Sequence, residues 1–250
     1  MTRPLDGRRA LVTGGSGTLG RRIAAALARE GADVALTWRQ GKDRADGTAD
    51  AVRAEGRRAV AVHLDQSDPD AVPGAVDQAV AALGGLDILV LNAAVAGGGP
   101  PGDLEALNAE VWDGLMAANL RGPYLVARAA APHLRRTQGH IVTIGSVAGT
   151  TPANSAYAFS VSKAAVVPLT RFLAAALAPE VKVNCIAPGL MEGTGLSAGA
   201  SPDYVAGWRA QAALARTASL DDVAALAVQM SRVEAVTGQV VYADGGIRFP

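Results

Sequence analysis

The sequence predicts an α/β fold, a mostly parallel seven-stranded sheet with helices on both faces. Two observations lead to this prediction. Apolar runs of strand length alternate with longer helical stretches from one end of the chain to the other. The runs are also continuously apolar, as in parallel strands that are buried on both sides. No repeat, charge block or low-complexity linker divides the 250 residues, so we expect a single domain over 1–250.

Seven short runs are predicted as strands because they are apolar and only four to six residues long. They are Arg9–Thr13, Val34–Trp38, Ala59–Leu64, Ile88–Leu91, Ile141–Ile144, Val181–Ile186 and Gln239–Tyr242. The longer stretches between them are predicted as helices. They are Leu19–Arg29, Thr48–Glu55, Ala71–Leu83, Ala109–Leu134, Ala156–Leu177 and Leu220–Ser231. This alternation is typical of the doubly wound Rossmann fold.

Two irregular stretches, Ala96–Asp103 and Leu190–Pro202, each follow a predicted strand. In doubly wound folds the ligand binds at the carboxyl ends of the strands, where such stretches lie. Their length and glycine content favour a substrate rim for the first and a mobile lid for the second, within a substrate loop at about 190–215. Ordinary surface loops are the alternative.

Composition restricts the classes of partner. The formal net charge is zero, which gives no electrostatic reason to expect a nucleic acid or an anionic membrane. The single cysteine, Cys185, excludes an internal disulfide and is expected to be a buried strand residue. No apolar run approaches the roughly 20 residues of a membrane helix, and the N-terminus lacks a signal peptide's apolar stretch. We therefore expect a cytoplasmic protein, and abundant Arg, Ala and Gly beside few Lys suggest a bacterial source.

A glycine-rich segment follows the first predicted strand. Gly15, Gly17 and Gly20 fit the pattern G-x-G-x-x-G where a helix opens. Glycines there let the backbone turn tightly and approach a pyrophosphate, which rests on the helix N-terminus. A tight turn that binds nothing is the alternative. The predicted cofactor contacts in this segment are Gly14, Ser16, Gly17, Thr18, Leu19 and Gly20.

The end of the second strand indicates which dinucleotide is preferred. An acidic residue there would bind the ribose 2′-hydroxyl of NAD, whereas an arginine suits the 2′-phosphate of NADP. The chain has Arg39 and no carboxylate until Asp43. Because a guanidinium makes charge-assisted bonds to phosphate, we expect NADP(H) rather than NAD(H). A solvated surface arginine is the alternative.

The segment His140–Val166 carries Ser146 at a predicted strand end and, on one face of the next helix, Phe159 and Lys163. It resembles the active-site segment of the short-chain dehydrogenase/reductase family, and the likeness extends over the whole chain. In that family an asparagine, a serine, a tyrosine and a lysine cooperate. The resemblance implies that Asn119, Ser146 and Lys163 fill three of these roles: holding a relay water, binding the substrate oxygen, and holding the nicotinamide ribose while lowering the tyrosine pKa.

The same resemblance implies further cofactor contacts. These are Asp65 at the adenine ring, Asn92 after the fourth strand, the Pro188–Gly189 turn after the sixth strand, and Thr194 at the nicotinamide amide. Three positions in the cofactor-binding half depart from the family pattern. Thr18 replaces the middle glycine of the first loop, and its hydroxyl is a candidate phosphate contact; Leu91 and Ala94 replace an asparagine and a glycine.

Phe159 stands where the resemblance implies the catalytic tyrosine, and it keeps the aromatic bulk without the O–H. Losing a positioned proton donor costs about 10²- to 10⁴-fold in rate. Tyr157 is a poor substitute, because two residues on a helix are separated by about 200°. Three accounts remain: a reductase whose tyrosine was deliberately replaced, a natural variant in which Ser146, substrate or water supplies the proton, and a non-redox catalyst or binding protein on this fold.

The substrate and the assembly are less sharply indicated. Met191, Tyr204 and Trp208 are candidates for an apolar pocket, which suggests a carbonyl of a mid-sized or polyketide-like molecule as substrate; packing in the core is the alternative.

The resemblance implies a dimer or tetramer formed through the helices at 109–134 and 156–177. The apolar outer positions expected there are Val126, Ala130, Val166 and Phe172. The three histidines are scattered, so we expect no catalytic metal.

Overall fold

The computed structural model describes residues 3–97, 103, 105, 107–150 and 156–247. Its strands are β1 Arg9–Val12, β2 Asp33–Trp38, β3 Ala59–His63, β4 Ile88–Leu91, β5 His140–Ile144, β6 Lys182–Pro188 and β7 Val240–Ala243. They form one sheet in the order β3-β2-β1-β4-β5-β6-β7, and every neighbouring pair is parallel. The predicted doubly wound α/β fold is confirmed.

Eight α-helices cover the sheet in the described part of the chain. They are α1 Thr18–Arg29, α2 Lys42–Ala54, α3 Ala71–Leu83, α4 Ala109–Met116, α5 Gly122–Thr137, α6 Tyr157–Leu177, α7 Pro202–Gln211 and α8 Leu220–Met230. Helices α3, α5 and α6 bury their apolar sides against one face of the sheet. Helices α1 and α8 form a second core layer against the other face. The strands are therefore buried on both sides, which explains their continuously apolar sequences.

Helices α2 and α7 differ from the sequence-based prediction. Helix α2 begins at Lys42 and not at Thr48, because Gly41 takes a left-handed conformation (φ 78°) that turns the chain into the helix. Helix α7 was not predicted. The Ser201 side chain caps it by accepting a hydrogen bond from Tyr204 N, and Pro202 occupies its first turn. The segment from 202 to 211 is thus a helix and not part of an irregular loop.

The long helix predicted at Ala109–Leu134 is interrupted. A π-helical turn at Ala117–Arg121 separates α4 from α5, and Gln66 Nε2 donates 2.7 Å to the carbonyl of Ala118 inside this turn. Such turns widen a helix locally and are frequent at functional sites. Asn119 lies within it, so the interruption fixes where this side chain points.

The expected outer positions of the long helices are wrong for three of the four residues. Val126 and Ala130 are fully buried in the core layer of α3, α5 and α6, and Val166 is 4% exposed. Val126 and Ala130 belong to the core cluster that packs on the sheet, so this side of α5 faces inward. Phe172, in contrast, is 60% exposed. Other apolar side chains exposed on these helices are Val111 and Val161.

Helix α6 is, among the described helices, the one long and apolar enough to cross a membrane by length and composition. It packs against β6 and α5, and its inner face contributes Leu173, Ala174 and Leu177 to the core.

Cys185 is a fully buried free thiol in β6, as predicted, and burial raises the pKa of this thiol.

Candidate active site

A cleft of about 660 Å³ opens at the carboxyl ends of β1, β4, β5 and β6. The chain reverses its direction of winding between β1 and β4, and ligands bind at this point in open α/β sheets. Every predicted site residue except Asn119 lines the cleft. The fold therefore brings residues from positions 14 to 194 to one edge of the sheet.

The glycine-rich loop is held in a tight conformation at one end of the cleft. Gly14 has φ +68°, and the N–H of Gly15 donates 2.7 Å to Thr37 O in β2. A Cβ atom on Gly20 would lie 2.2 Å from Gly14 O, so no larger residue fits there. Gly17 caps α1 with no side-chain hydrogen bond. The first N–H groups of α1 are thus left for an anion.

Asn92 fixes the glycine-rich loop to the end of β4. Its side-chain Nδ2 donates 2.8 Å to Thr13 O, and its backbone N–H donates 2.9 Å to the Thr13 hydroxyl. These contacts give Asn92 a backbone-stabilising role beside the cleft.

Charged residues gather at the end of the cleft near β2. Arg39 Nη1 lies 3.7 Å from Asp65 Oδ2, and both side chains are partly exposed. Burial would raise the pKa of Asp65, but hydrogen bonds from Ser67 and the charge of Arg39 lower it. Arg44 also lines the cleft, with Nε 3.4 Å from Ser16 O. Arg44 is not among the residues expected from the sequence, which predicts the helix to begin only at Thr48; Gly41 before the charged run is the signal for the earlier start.

Ser146, Lys163 and Phe159 line the opposite end of the cleft. The Ser146 hydroxyl accepts a hydrogen bond from Ala148 N (3.1 Å), which fixes its oxygen and leaves its proton for a ligand. Lys163 Nζ donates 2.8 Å to Ile144 O. Burial lowers the pKa of Lys163 to about 8.

The aromatic ring at position 159 lies one helical turn before this lysine. Lys163 Nζ is 6.0 Å from the centroid of the Phe159 ring, at the outer limit of a cation–π contact. Tyr157 is the first residue of α6, so its entry is helical, and it is not among the residues that line the cleft. The expectation that Tyr157 faces away from the site agrees with this placement.

Asn119 does not line the cleft, but it hydrogen-bonds to the backbone of Val95, which does. Its Oδ1 accepts from Val95 N (2.8 Å), and its Nδ2 donates to Val95 O (2.9 Å) and to the Ser162 hydroxyl (3.1 Å). The side chain is 1% exposed. It therefore joins the segment after β4 to the helix that carries Lys163. The role in a proton relay stays a prediction.

The segment after β6 forms the outer wall of the cleft. Thr194, expected at a nicotinamide amide, is 9% exposed and caps a 3₁₀ turn, Gly195–Ser197, by accepting from Ser197 N. Trp208 of α7 is 7% exposed and lies edge-to-face with Tyr204, their ring centroids 6.3 Å apart. Both aromatic residues line the cleft together with Met191. The apolar wall expected from the sequence is thus present.

The arrangement offers an anion-binding helix N-terminus at one end and a hydroxyl beside a buried amine at the other. Such a cleft suits a long ligand whose phosphates lie on α1 and whose reactive end meets Ser146 and Lys163. Within the described residues no group of His, Cys, Asp or Glu is close enough to hold a metal ion.

Comparison with known proteins places the chain in a large family. The model of the enoyl-(acyl carrier protein) reductase family matches residues 15–248. A candidate ketoacyl reductase 2 of the granaticin polyketide synthase from Streptomyces violaceoruber is 36% identical over 242 residues, covering 95% of this chain and 94% of the relative. The 3-oxoacyl-(acyl-carrier-protein) reductase FabG of Staphylococcus aureus is 30% identical over 242 residues, covering 95% and 97%.

Solved structures that resemble this chain also belong to short-chain dehydrogenases. A short-chain dehydrogenase from Burkholderia cenocepacia, crystallised in complex with NADP, is 38% identical with a TM-score of 0.90, covering 98% of this chain and 99% of that one. A short-chain dehydrogenase/reductase from Serratia marcescens is 33% identical with a TM-score of 0.90, over 98% and 99%. The likeness therefore extends over the whole fold and not over the glycine-rich loop alone.

Proposed function

Because this chain belongs to the short-chain dehydrogenase/reductase family of oxidoreductases, we propose that it is an NADP(H)-binding protein of the ketoreductase type. We further propose that Phe159 occupies the position of the catalytic tyrosine. The observation that carries the proposal is the meeting of Ser146 and Lys163 in the same cleft as the glycine-rich loop. Turnover of a carbonyl compound by the Phe159→Tyr protein with NADPH is the experiment that tests it.

The cleft fits a phosphorylated dinucleotide. The uncapped first turn of α1 suits the pyrophosphate, and the glycine at position 20 permits the close packing of loop on helix. Arg39 and Arg44 place two guanidinium groups near the loop, where an additional phosphate needs positive charge. When bound, the nicotinamide supplies or accepts the hydride. NADP in the related Burkholderia structure supports the same choice for this chain.

The residues at the other end of the cleft would divide the remaining work. The Ser146 hydroxyl would donate its proton to the oxygen of a carbonyl substrate, since its own oxygen accepts from Ala148 N. Lys163 would hold a ribose hydroxyl and, in a protein with tyrosine at position 159, would lower the pKa of that phenol. Asn119 holds the helix of Lys163 in register with the segment after β4. Phe159 contributes a ring but no proton.

The substrate class follows from the wall of Met191, Tyr204 and Trp208. An apolar surface with aromatic side chains suits a carbonyl on a mid-sized organic molecule of polyketide type. The granaticin relative supports this choice. A non-redox catalyst or a binding protein is the second candidate function, and the absence of a hydroxyl at Phe159 favours it.

Replacing Arg39 by Gln is expected to weaken NADPH binding about 10- to 100-fold, because a charge-assisted hydrogen bond to the 2′-phosphate is lost. Binding of NADH, which lacks that phosphate, is expected to change little. Isothermal titration calorimetry with both nucleotides measures the two effects. The matched control is Arg53→Gln on the far end of α2, where the guanidinium pairs with Asp50 outside the cleft. Tighter binding of NADH than of NADPH by the unchanged chain would contradict the proposal.

We also propose a homodimer or homotetramer, with the exposed apolar side chains of α4 and α6 at the interface. Phe172, Val161 and Val111 are exposed on these helices. Light scattering at micromolar concentration is expected to give a multiple of the 25.3 kDa chain mass. Phe172→Glu is expected to lower that mass because a buried, unpaired carboxylate is costly. Leu214→Glu, at an exposed position outside both helices, is the control, and a monomer for the unchanged chain contradicts the assembly.

A further inference from the structure

The side chain of Thr18, in the glycine-rich loop, makes a hydrogen bond to a segment that is distant in the sequence. Thr18 is the first residue of α1 and lines the cleft. Its hydroxyl donates 3.3 Å to the carbonyl of Gly193, 175 positions away in the chain. The contact therefore crosses from the glycine-rich loop to the segment that follows β6.

That segment is Met191–Ser197, the first part of the predicted lid at Leu190–Pro202, and from here the name lid refers to this part. Gly193 has φ +72°, and the reciprocal hydrogen bonds of Thr194 and Ser197 make the following turn compact. Glu192 ties the lid to α7 through Arg209 (2.8 Å) and to Thr217 (2.6 Å). Hydrogen bonds from both partners lower the pKa of the Glu192 carboxyl, so it stays ionised near neutral pH.

The two anchors hold different sides of the lid. Glu192 fixes the side that faces α7 and the aromatic wall. Among the hydrogen bonds of the residues that the structure describes, the bond from Thr18 to Gly193 is the one that ties the lid to the glycine-rich loop. A glycine at position 18, which the family pattern would place there, has no side chain for this contact.

We propose that Thr18 is a positioning residue that holds the lid against the cofactor loop, and that its hydroxyl does not serve as a phosphate ligand. A hydroxyl has one proton to donate, and in this structure that proton goes to Gly193 O. This inference rests on the proposed binding of NADP(H) for its consequence. A lid held across the pyrophosphate site slows the dissociation of the nucleotide.

Hydrogen exchange tests the contact without any nucleotide. In Thr18→Val, which keeps the shape and loses the hydroxyl, the amides of residues 191–197 are expected to exchange about three- to tenfold faster, as the loss of one neutral hydrogen bond implies. Thr18→Ser keeps the hydroxyl and is expected to restore slow exchange. Ser16→Ala is the control, because the Ser16 hydroxyl donates to Gln40 O on the other side of the loop. Lid exchange in this control is expected to stay unchanged.

Stopped-flow displacement of NADPH gives the second readout. Dissociation from Thr18→Val is expected to be about three- to tenfold faster, with recovery in Thr18→Ser. Unchanged lid exchange in Thr18→Val overturns the inference, and slow exchange lost equally in Thr18→Ser does so too. If NADPH fails to bind the parent chain but lid exchange still rises in Thr18→Val alone, the contact stands and the proposed function fails. Thermal melting of each variant confirms that it is folded.

Discussion

Phe159→Tyr is expected to raise the turnover of a carbonyl substrate with NADPH by about 10²- to 10⁴-fold, the range that a positioned proton donor contributes. The reason is local. Ser146 can bind the carbonyl oxygen, and Lys163 lies one helical turn from position 159, with Nζ 6.0 Å from the ring centroid. A phenol added to that ring meets a buried ammonium that lowers its pKa. NADPH oxidation followed at saturating nucleotide, over a panel of ketones of polyketide type, measures the effect.

Phe172→Tyr is the matched control for this substitution. It adds the same hydroxyl to the same helix, at a position that is 60% exposed and outside the cleft. Turnover by that variant is expected to equal that of the unchanged chain. The effect at position 159 should appear mainly in kcat, because the phenol proton moves in the transition state and adds little to substrate binding.

The turnover measurements distinguish the three explanations for a phenylalanine at position 159. A large gain supports a reductase whose tyrosine is missing, and a tyrosine codon at position 159 in the encoding gene would establish deliberate replacement. Appreciable turnover by the unchanged chain, with little gain in Phe159→Tyr, indicates that Ser146, substrate or water supplies the proton. No turnover by either protein in either direction of reaction favours a non-redox catalyst or a binding protein.

Much of the fold could be predicted from sequence because the burial of a strand is visible in its hydrophobicity pattern. Parallel strands covered on both faces are continuously apolar, so all seven strands were recognised within a residue or two. The helices were recognised less well where their limits depend on the backbone. The start of α2 at Lys42 depends on the left-handed conformation of Gly41, and the π-helical turn at Ala117–Arg121 depends on contacts such as that of Gln66 with Ala118 O.

The site illustrates the same division. The glycine-rich loop and Arg39 were candidates from motif and strand order, and the other candidates came from the family resemblance; all but Asn119 line one cleft. What each side chain bonds to was beyond the sequence. Thr18 was expected near phosphate, yet its hydroxyl donates to Gly193 O. Val126, Ala130 and Val166 were expected outside, but a helix with apolar residues on several sides does not reveal which side faces the sheet.

Lys163→Met is expected to have two opposite effects. In the Phe159→Tyr protein it should remove nearly all the restored turnover, because the phenol loses its ammonium neighbour and the ribose loses a hydrogen-bond donor. In the same protein the free energy of unfolding at pH 7 should rise by about 1–2 kcal/mol. Burial of the charged amine is unfavourable, and only part of this gain is offset by the lost hydrogen bond to Ile144 O.

The pH dependence identifies the cause of that stabilisation. The pKa of Lys163 is about 8 in the folded protein and 10.5 for an ordinary lysine. Between these values the unfolded chain binds the proton that the folded protein has lost, so the contribution of Lys163 to stability rises with pH. The advantage of Lys163→Met in urea unfolding should therefore be largest below pH 8 and shrink as the pH approaches 10.5.

Lys182→Met separates this effect from the loss of any lysine. Lys182 begins β6 outside the cleft, pairs with Glu234 and donates to Gln138 O, so its replacement should leave turnover unchanged and lower stability. A stability gain for Lys163→Met that is the same at pH 7 and pH 10 would mean that packing, and not the buried charge, is responsible. Burial of the Lys163 amine would then not destabilise the fold, and the lowered pKa would not account for the effect of Lys163→Met on unfolding.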